Sequence, residues 1–268
     1  MNIEKVPDSV GKEIEIKGWV WRKRESKNII FILLRDSKGI AQFTVKDDQP
    51  FFKDAKDVTI ESSVIMKGKV KEDKRSPTGY EIKTTDLKIV QIAERYPITK
   101  DQSTEFLLDV RHLWLRSRKM TAIMKIRSTI VGAIHQFFRE RGYIEFDPPI
   151  FQPNQCEGGS TLFEVKYFDK KLYLSQSWQF YAEAAVFALE KVYDMSPTFR
   201  AEKSKTTRHL SEFWMAEMEA AWMKLDEVTE VAKDEIRFII KEVLKKNKKE
   251  LKLLKRDVKL LEHYAKRH

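Results

Sequence analysis

Residues 194–222, DMSPTFRAEKSKTTRHLSEFWMAEMEAAW, concentrate more chemistry than any other stretch of the chain. Their alternation reads as two antiparallel strands joined by a basic, polar loop. In the second strand a period of two puts Phe213, Met215, Glu217, Glu219 and Ala221 on one face. Trp214, Ala216, Met218, Ala220 and Trp222 fall on the other, which is wholly apolar. Two carboxylates and an aromatic ring therefore share a face that a packed core is expected to back. By the same rule Arg200 and Glu202 share a face of the first strand, and the loop adds Lys203, Lys205, Arg208 and His209. Such a face suits a nucleotide. A guanidinium fork matches phosphate oxygens, Phe213 can stack on a base, and Glu202 can accept a hydrogen bond from an adenine amino group. The same spacing also describes a surface hairpin laced with ion pairs, and spacing alone does not separate the two.

The elements that must position this stretch can be read by period. Residues 12–92 read as strands. In KEIEIKGWVWRK, Ile14, Ile16, Gly18 and Val20 alternate with Glu15, Lys17, Trp19 and Trp21, which gives one buried and one exposed face. The runs NIIFILLRD, GIAQFTVK, SVIMKGKVKE and GYEIKTTDLKIVQI follow, the last after a turn at Ser76-Pro77-Thr78-Gly79. Five short strands in so short a span suggest a small closed barrel, with an OB-fold as the leading candidate. A seam follows at Arg95-Tyr96-Pro97. From Ser117 the period changes: Met120, Ile123, Ile126, Ile130, Ile134, Phe137 and Phe138 recur at helical spacing, up to Gly142 as a C-terminal cap. YIEFDPPIF then reads as a strand halted by two prolines.

Composition narrows the class. The chain of 268 residues is 42% hydrophobic and 34% charged, which fits a globular protein with packed cores. Its one cysteine, Cys156, cannot form an internal disulfide, and no Cys/His cluster has zinc-ligand spacing. The opening MNIEKVPDSV lacks the apolar region of a signal peptide, and no apolar run approaches bilayer length. A cytoplasmic protein is expected. The formal net charge is +10, and residues 241–268 carry eleven Lys/Arg against four Asp/Glu, so +7 of it sits there and +3 on the other 240 residues. That stretch reads as a solvated amphipathic helix or as a surface facing a polyanion.

FRAEKSKTTRHLSEF resembles the second signature motif of class II aminoacyl-tRNA synthetases, in the form shared by the aspartyl, asparaginyl and lysyl group. The resemblance implies that Arg200 holds the ATP α-phosphate, Glu202 meets adenine and Phe213 stacks on it, with Arg208, His209 and Leu210 near the nucleotide. Arg200, Glu202 and His209 would be the catalytic residues. Glu217 and Glu219 would line the floor where substrate and Mg²⁺ meet, with Glu219 as a metal ligand. The helix from Ser117 with IEFDPPIF resembles the first motif, whose proline, here Pro149, lies at a homodimer interface. CEGGSTLF resembles the amino-acid-binding loop, in which Glu157 would pair with the substrate ammonium and Gly158-Gly159 would let the loop close as a lid. LYLSQSWQFYAEAA resembles the helix start beside the amino-acid pocket, with Gln176, Ser177 and Gln179 lining it. Aspartyl enzymes carry a lysine where this sequence has Ala182. Without that cation a buried carboxylate is costly, so an amide side chain, asparagine, is expected. SEFWMAEMEAAWM is also closer to asparaginyl than to aspartyl enzymes. Trp178 stands where the family has a small residue or proline, and is expected to crowd the pocket entrance. In this family the barrel reads the anticodon. Phe31 matches the stacking aromatic and Gln42 the base-contacting glutamine, flanked by Trp19, Arg22, Lys23 and Arg24; Phe31 alone also reads as a core aromatic, sharing its parity with Ile29 and Leu33.

The expected fold class is α+β. Residues 1–95 form a five-stranded OB-fold anticodon-binding barrel and 96–116 a hinge. Residues 117–268 form the N-terminal part of a class II synthetase domain, an antiparallel sheet with helices. The implied activity is ATP-dependent formation of asparaginyl-adenylate and transfer to tRNA(Asn), with ATP and Mg²⁺ as cofactors. None of the nine glycines lies beyond Gly159, so the family's glycine-rich third motif is not in the sequence. The domain is therefore expected to be incomplete, poorly soluble without a covering segment and inactive alone. Two other readings stay open: a truncated paralogue that only binds tRNA, and a non-discriminating aspartyl enzyme.

Overall fold

The computed structural model describes residues 1–156, 161–203, 206 and 208–266. The chain divides into two compact units, Met1–Val110 and Arg111–His268, and the division falls inside the stretch 96–116.

The first unit holds strands β1 (Glu13–Ser26), β2 (Ile29–Arg35), β3 (Ile40–Lys46), β4 (Ser63–Glu72) and β5 (Tyr80–Gln91), with helix α1 (Phe52–Asp57) between β3 and β4. They close in the order β1-β2-β3-β5-β4; β3 and β5 pair in parallel and the other neighbours antiparallel. The expected barrel is therefore present, and α1 is an addition to it. Alternating apolar side chains fill the interior: Ile14, Ile16, Val20, Ile30, Ile32, Leu34, Phe43, Val45, Val64, Met66 and Ile82 are all buried. Gly18 lets strands approach closely, because a Cβ there would lie 2.7 Å from the Arg35 carbonyl oxygen. A short helix, α2 (Thr104–Asp109), follows the barrel, its first turn capped by Ser103.

The second unit opens with α3 (Arg111–Trp114) and the long helix α4 (Arg118–Glu140). Ser117 caps α4 by accepting the Met120 N–H at 3.2 Å. Its end is a Schellman turn: Gly142 sits at φ 77°, its N–H bonds to the Arg139 carbonyl, and the Tyr143 N–H bonds to Phe138. The proposed strand over YIEFDPPIF breaks into β6 (Ile144–Glu145) and β7 (Phe151–Gln152), since the prolines interrupt the ladder. Next come β8 (Glu164–Tyr167), β9 (Lys170–Leu174), α5 (Gln179–Leu189), β10 (Lys191–Phe199) and β11 (Glu212–Ala220). Three helices follow: α6 (Leu225–Lys246), α7 (Lys248–Leu253) and α8 (Val258–Lys266).

One sheet runs β11-β10-β6 and a smaller one β7-β9-β8. All pairs are antiparallel except β10 with β6, which is parallel. The larger sheet is covered on both sides. On one face Ile134, Phe137, Phe138 and Tyr143 pack with Tyr193, Met195, Met218 and Ala220, and with Val231, Phe238 and Ile239 of α6. On the other, Val192 packs with Trp178, Ala182 and Ala185 at α5. The second face of β11 is not uniformly buried as its apolar pattern suggested: Trp214 is 52% and Trp222 89% exposed. Met218 and Ala220 join the apolar cluster with the helices behind, whereas Trp214 meets the Arg127 guanidinium of α4 at 5.9 Å. Among the described residues no helix is long and apolar enough to cross a membrane.

Candidate functional site

The face of the sheet toward α5 carries the carboxylates. Register pairs Asp194 with Glu217 and Val192 with Glu219, and directly opposed residues of an antiparallel pair point to the same side. Glu217 is committed to the start of α5. Its Oε1 accepts the Ser177 hydroxyl at 2.8 Å and its Oε2 the Trp178 N–H at 3.2 Å. Ser177 Oγ also accepts the Gln179 N–H at 3.1 Å. A carboxylate at a helix start satisfies free N–H groups and opposes the helix dipole. Glu219 lies near enough to Glu183 and Glu217 to feel both. Burial raises its carboxyl above the ordinary range, and those two charges add to the rise.

Gln176 and Ser177 are buried on this face, whereas Gln179 is exposed and bonds Glu183 at 2.9 Å. Gln176 donates to the carbonyl and hydroxyl oxygens of Thr161 at 3.2 and 2.9 Å, and its own buried carbonyl oxygen has no partner. Thr161, not foreseen from the sequence, also accepts the Ala201 N–H at 2.7 Å. It ties the chain after β10 to the loop before β8. Ala182 is fully buried, so no cation stands at that position. Trp178 does not crowd a pocket entrance. It is 1% exposed, inserted beneath α5 with its indole N–H on the Phe146 carbonyl at 2.7 Å. An indole whose N–H finds a carbonyl is a stable core element.

Arg200 lies one residue past the end of β10, and its N–H closes to the Ser211 carbonyl at 3.0 Å. Its guanidinium stands over the Phe213 ring at 5.8 Å. Its Nε is buried and without a hydrogen-bond partner. The strand stops at Phe199, so Glu202 does not share a strand face with Arg200; it is exposed outside the ladder, as are Arg208, His209 and Leu210. His209 Nδ1 meets the Thr206 hydroxyl at 2.6 Å. Glu157, Gly158, Gly159 and Lys205 lie outside the described residues. Pro149 is exposed and its carbonyl accepts from the Gln152 amide at 2.8 Å.

Asp194 was missed by sequence reasoning. It is 1% exposed, one oxygen accepts the Met195 N–H at 2.6 Å, and the other has no partner. Burial pushes its carboxyl up to about 6, helped by Asp147 and Glu217 and opposed by bonds from Ser196 and Met195. The signal was available: Asp194 shares the parity of Val192, so a charge occupies an inward position.

In the first unit a β-bulge decides which side chains face outward. Pairing runs Val20 with Leu34 and then skips to Arg22 with Leu33 and Arg24 with Phe31. The extra residue, Trp21, shifts parity. Arg22 and Arg24, which share the even numbers of the inward Val20, are thereby placed on the outer side. Phe31 is partly exposed beside Ile29 and Leu33, while Ile30, Ile32 and Leu34 fill the core, so it is not a core aromatic. Arg24 stacks on Phe31 at 4.6 Å and Arg22 on Trp21 at 4.4 Å. Trp19 is 49% exposed opposite Arg35, and Gln42 pairs with Leu33 on the same side.

Comparison with known proteins accounts for both units. The family model of an OB-fold nucleic acid binding domain matches residues 14–90. That of the tRNA synthetases class II (D, K and N) matches residues 103–266. The asparagine–tRNA ligase of Thermococcus kodakarensis is 49% identical over 253 residues, which are 94% of this chain and 59% of that protein. That of Thermoplasma acidophilum is 46% identical over 94% of this chain and 59% of its own length. The structure of asparaginyl-tRNA synthetase from Pyrococcus horikoshii complexed with asparaginyl-adenylate superposes with a TM-score of 0.94 at 40% identity, covering 100% of this chain and 63% of that one. The Entamoeba histolytica asparaginyl-tRNA synthetase, also with asparaginyl-adenylate, gives 0.78 at 27% identity over 87% of this chain and 55% of its own. The chain thus spans about 60% of the length of the curated relatives it matches. With a closed five-stranded barrel followed by a strand pair whose Glu217 fixes one helix start and whose end sets Arg200 over Phe213, the chain belongs to the class II tRNA synthetases of the D, K and N group.

Proposed function

We propose that this chain carries the nucleotide and amino-acid floor, and the anticodon-reading barrel, of an asparagine–tRNA ligase. In that reaction the asparagine carboxylate attacks the ATP α-phosphate, giving asparaginyl-adenylate and pyrophosphate. The asparaginyl group then passes to a hydroxyl of the terminal ribose of tRNA(Asn), releasing AMP. The residues act by positioning and charge stabilisation. Arg200, its Nε buried and unpartnered beside Phe213, would hold the α-phosphate, and this is the observation that carries the reading. Phe213 would stack on adenine and Glu202 would accept from its amino group. Arg208, His209 and Leu210 would stand around the outer phosphates. Gln176, Ser177, Gln179 and Glu217 would line the amino-acid pocket, with Glu157 on the ammonium. The buried Ala182 leaves no cation for an aspartate side chain, and the named relatives support asparagine.

Glu219 would be one ligand of a Mg²⁺ that accompanies ATP. Among the described residues no group of three His, Cys, Asp or Glu side chains gathers to hold a metal ion, so they do not by themselves fit a Mg²⁺ site. On the barrel, Phe31, Gln42, Trp19 and Arg22 would grip the anticodon. A homodimer through α4 and the segment of Pro149 is part of the reading, supported by the 39% exposed Met124 and the half-buried Ile123, Ile126 and Ile130. The cytoplasm is the proposed compartment. The proposed domains are the barrel to residue 95, a hinge to 116 and the synthetase part beyond it.

ATP–pyrophosphate exchange with asparagine and with aspartate tests the proposal, using the chain alone and together with a segment carrying the glycine-rich third motif. Asparagine-dependent exchange is expected only in the mixture with that segment, with Arg200→Met slowing it about 100-fold. Equal exchange with aspartate would favour a non-discriminating aspartyl enzyme. No exchange in any mixture, with tRNA still bound, would favour a tRNA-binding module without chemistry.

A further inference from the structure

The cations concentrated after residue 240 lie on α6, α7 and α8, on the face of the sheet opposite Glu217. The four carboxylates of this stretch do little to neutralise them. Glu242 pairs with Lys246 at 2.6 Å. Glu250 reaches back to Lys125 of α4 at 3.6 Å. Asp257 accepts the Leu260 N–H at 3.1 Å, as the cap of α8. Glu262 lines a groove with Leu244, Lys245, Lys248, Leu251 and Val258. Lys245, Lys248, Lys249, Lys252, Lys255 and Arg256 are exposed, and among the described residues none forms an ion pair.

The backbone holds these charges together rather than spreading them. α6 stops at Asn247, α7 follows at once, and Lys255 takes φ 53° to turn the chain into α8. The Arg256 N–H returns to the Leu251 carbonyl at 3.0 Å. The turn is a Schellman closure in which a lysine occupies the left-handed position that glycine ordinarily takes. Like charges so close repel one another, and a polyanion relieves that repulsion by releasing its counterions.

We infer that the α6–α7–α8 tip is a phosphate-backbone contact for RNA, separate from the barrel and from the reactive face of the sheet. Its ligand chemistry is a run of phosphodiesters, read by charge and not by base. RNA is the polyanion named because the same chain carries a nucleic-acid-binding barrel; in this the inference rests on the proposed reading that tRNA is a substrate. The tip would raise the encounter rate and residence of tRNA without touching the adenylate.

The test measures binding of a tRNA transcript by fluorescence anisotropy across a salt series. It compares the full chain with Lys245→Gln, Lys248→Gln, Lys249→Gln, Lys252→Gln combined, and with the same four positions changed to Arg. The glutamine variant is expected to bind at least about tenfold more weakly at low salt, with a log–log salt slope smaller by about 3. The arginine variant is expected to match the parent, which separates charge from folding. An unchanged slope in the glutamine variant, or an equal loss in the arginine variant, overturns the inference. So does an equal loss of polyglutamate binding with tRNA binding intact, which would assign the tip to an acidic protein. Asparagine-dependent exchange, followed in parallel, keeps the two proposals apart. Its absence with the slope effect present removes the proposed activity and leaves the RNA contact standing.

Discussion

The Ser177 hydroxyl donates to Glu217 Oε1 at 2.8 Å, while Glu217 Oε2 takes the Trp178 N–H. One carboxylate of a strand thereby fixes where α5 begins. Replacing Glu217 with alanine strips a partly buried charged acceptor from two donors. The expected loss is about 1.5–3 kcal/mol, read as a lower urea midpoint by tryptophan fluorescence. Glu217→Gln keeps one acceptor and is expected to lose less. Equal midpoints for parent and alanine variant would mean that the helix start is held by other contacts.

Asp194 carries a pH dependence of definite sign. In the folded protein its carboxyl titrates at about 6, above the 3.8 of an ordinary aspartate, so between those values the folded state holds more protons than the unfolded state. Stability falls as pH rises through that window. A difference of that size corresponds at most to about 3 kcal/mol. Asp194→Asn is therefore expected to stabilise the protein at pH 8 and to change little at pH 4. Urea unfolding at both values checks this, and equal effects at the two would contradict it.

Phe31 faces outward beside Arg24, so truncating it should spare the barrel core. Phe31→Ala is expected to weaken binding of an anticodon stem-loop by about 1–3 kcal/mol with the thermal midpoint nearly unchanged. A large fall in the midpoint would return Phe31 to a structural role.

Lys255 holds a left-handed conformation at φ 53°, which costs a residue with a Cβ about 1–2 kcal/mol. Lys255→Gly is expected to raise the thermal midpoint, the gain reduced to about 0.5–1 kcal/mol by glycine's greater freedom when unfolded. A lower midpoint would show that the lysine side chain contributes packing at the turn.

Much of this architecture was legible because period and punctuation agree. The inward series Ile14, Ile16, Val20 and the helical series ending at Phe138 and Gly142 each admit one element type, and those elements formed. The pair β10 and β11 was legible for the same reason. Other features depend on what the chain meets in three dimensions. Trp178 reads as an obstruction in a motif, but its indole N–H has a carbonyl to reach under α5. Glu202 continues an alternating pattern, yet Arg200 and Ala201 turn toward Ser211 and Thr161, so the ladder ends before it. Trp214 and Trp222 complete an apolar face, but only Met218 and Ala220 join the apolar cluster with the helices behind, and Trp214 meets a guanidinium there instead. The parity of Arg22 and Arg24 could not be counted without the bulge at Trp21.

That bulge makes the length of β1 a coding element in its own right. Deleting Trp21 would remove no core side chain and would rephase nothing: Arg22 would follow Val20 directly, still opposite Leu33, and Arg24 would stay opposite Phe31. Deleting Lys23 instead would bring Arg24 opposite the buried Ile32, directed into the interior, and the outer face that Arg24 shares with Phe31 would be lost. A single-residue deletion should therefore be far more damaging just after the bulge than at it, and lineages carrying this barrel should vary in length at Trp21 long before they do so at Arg22 or Lys23.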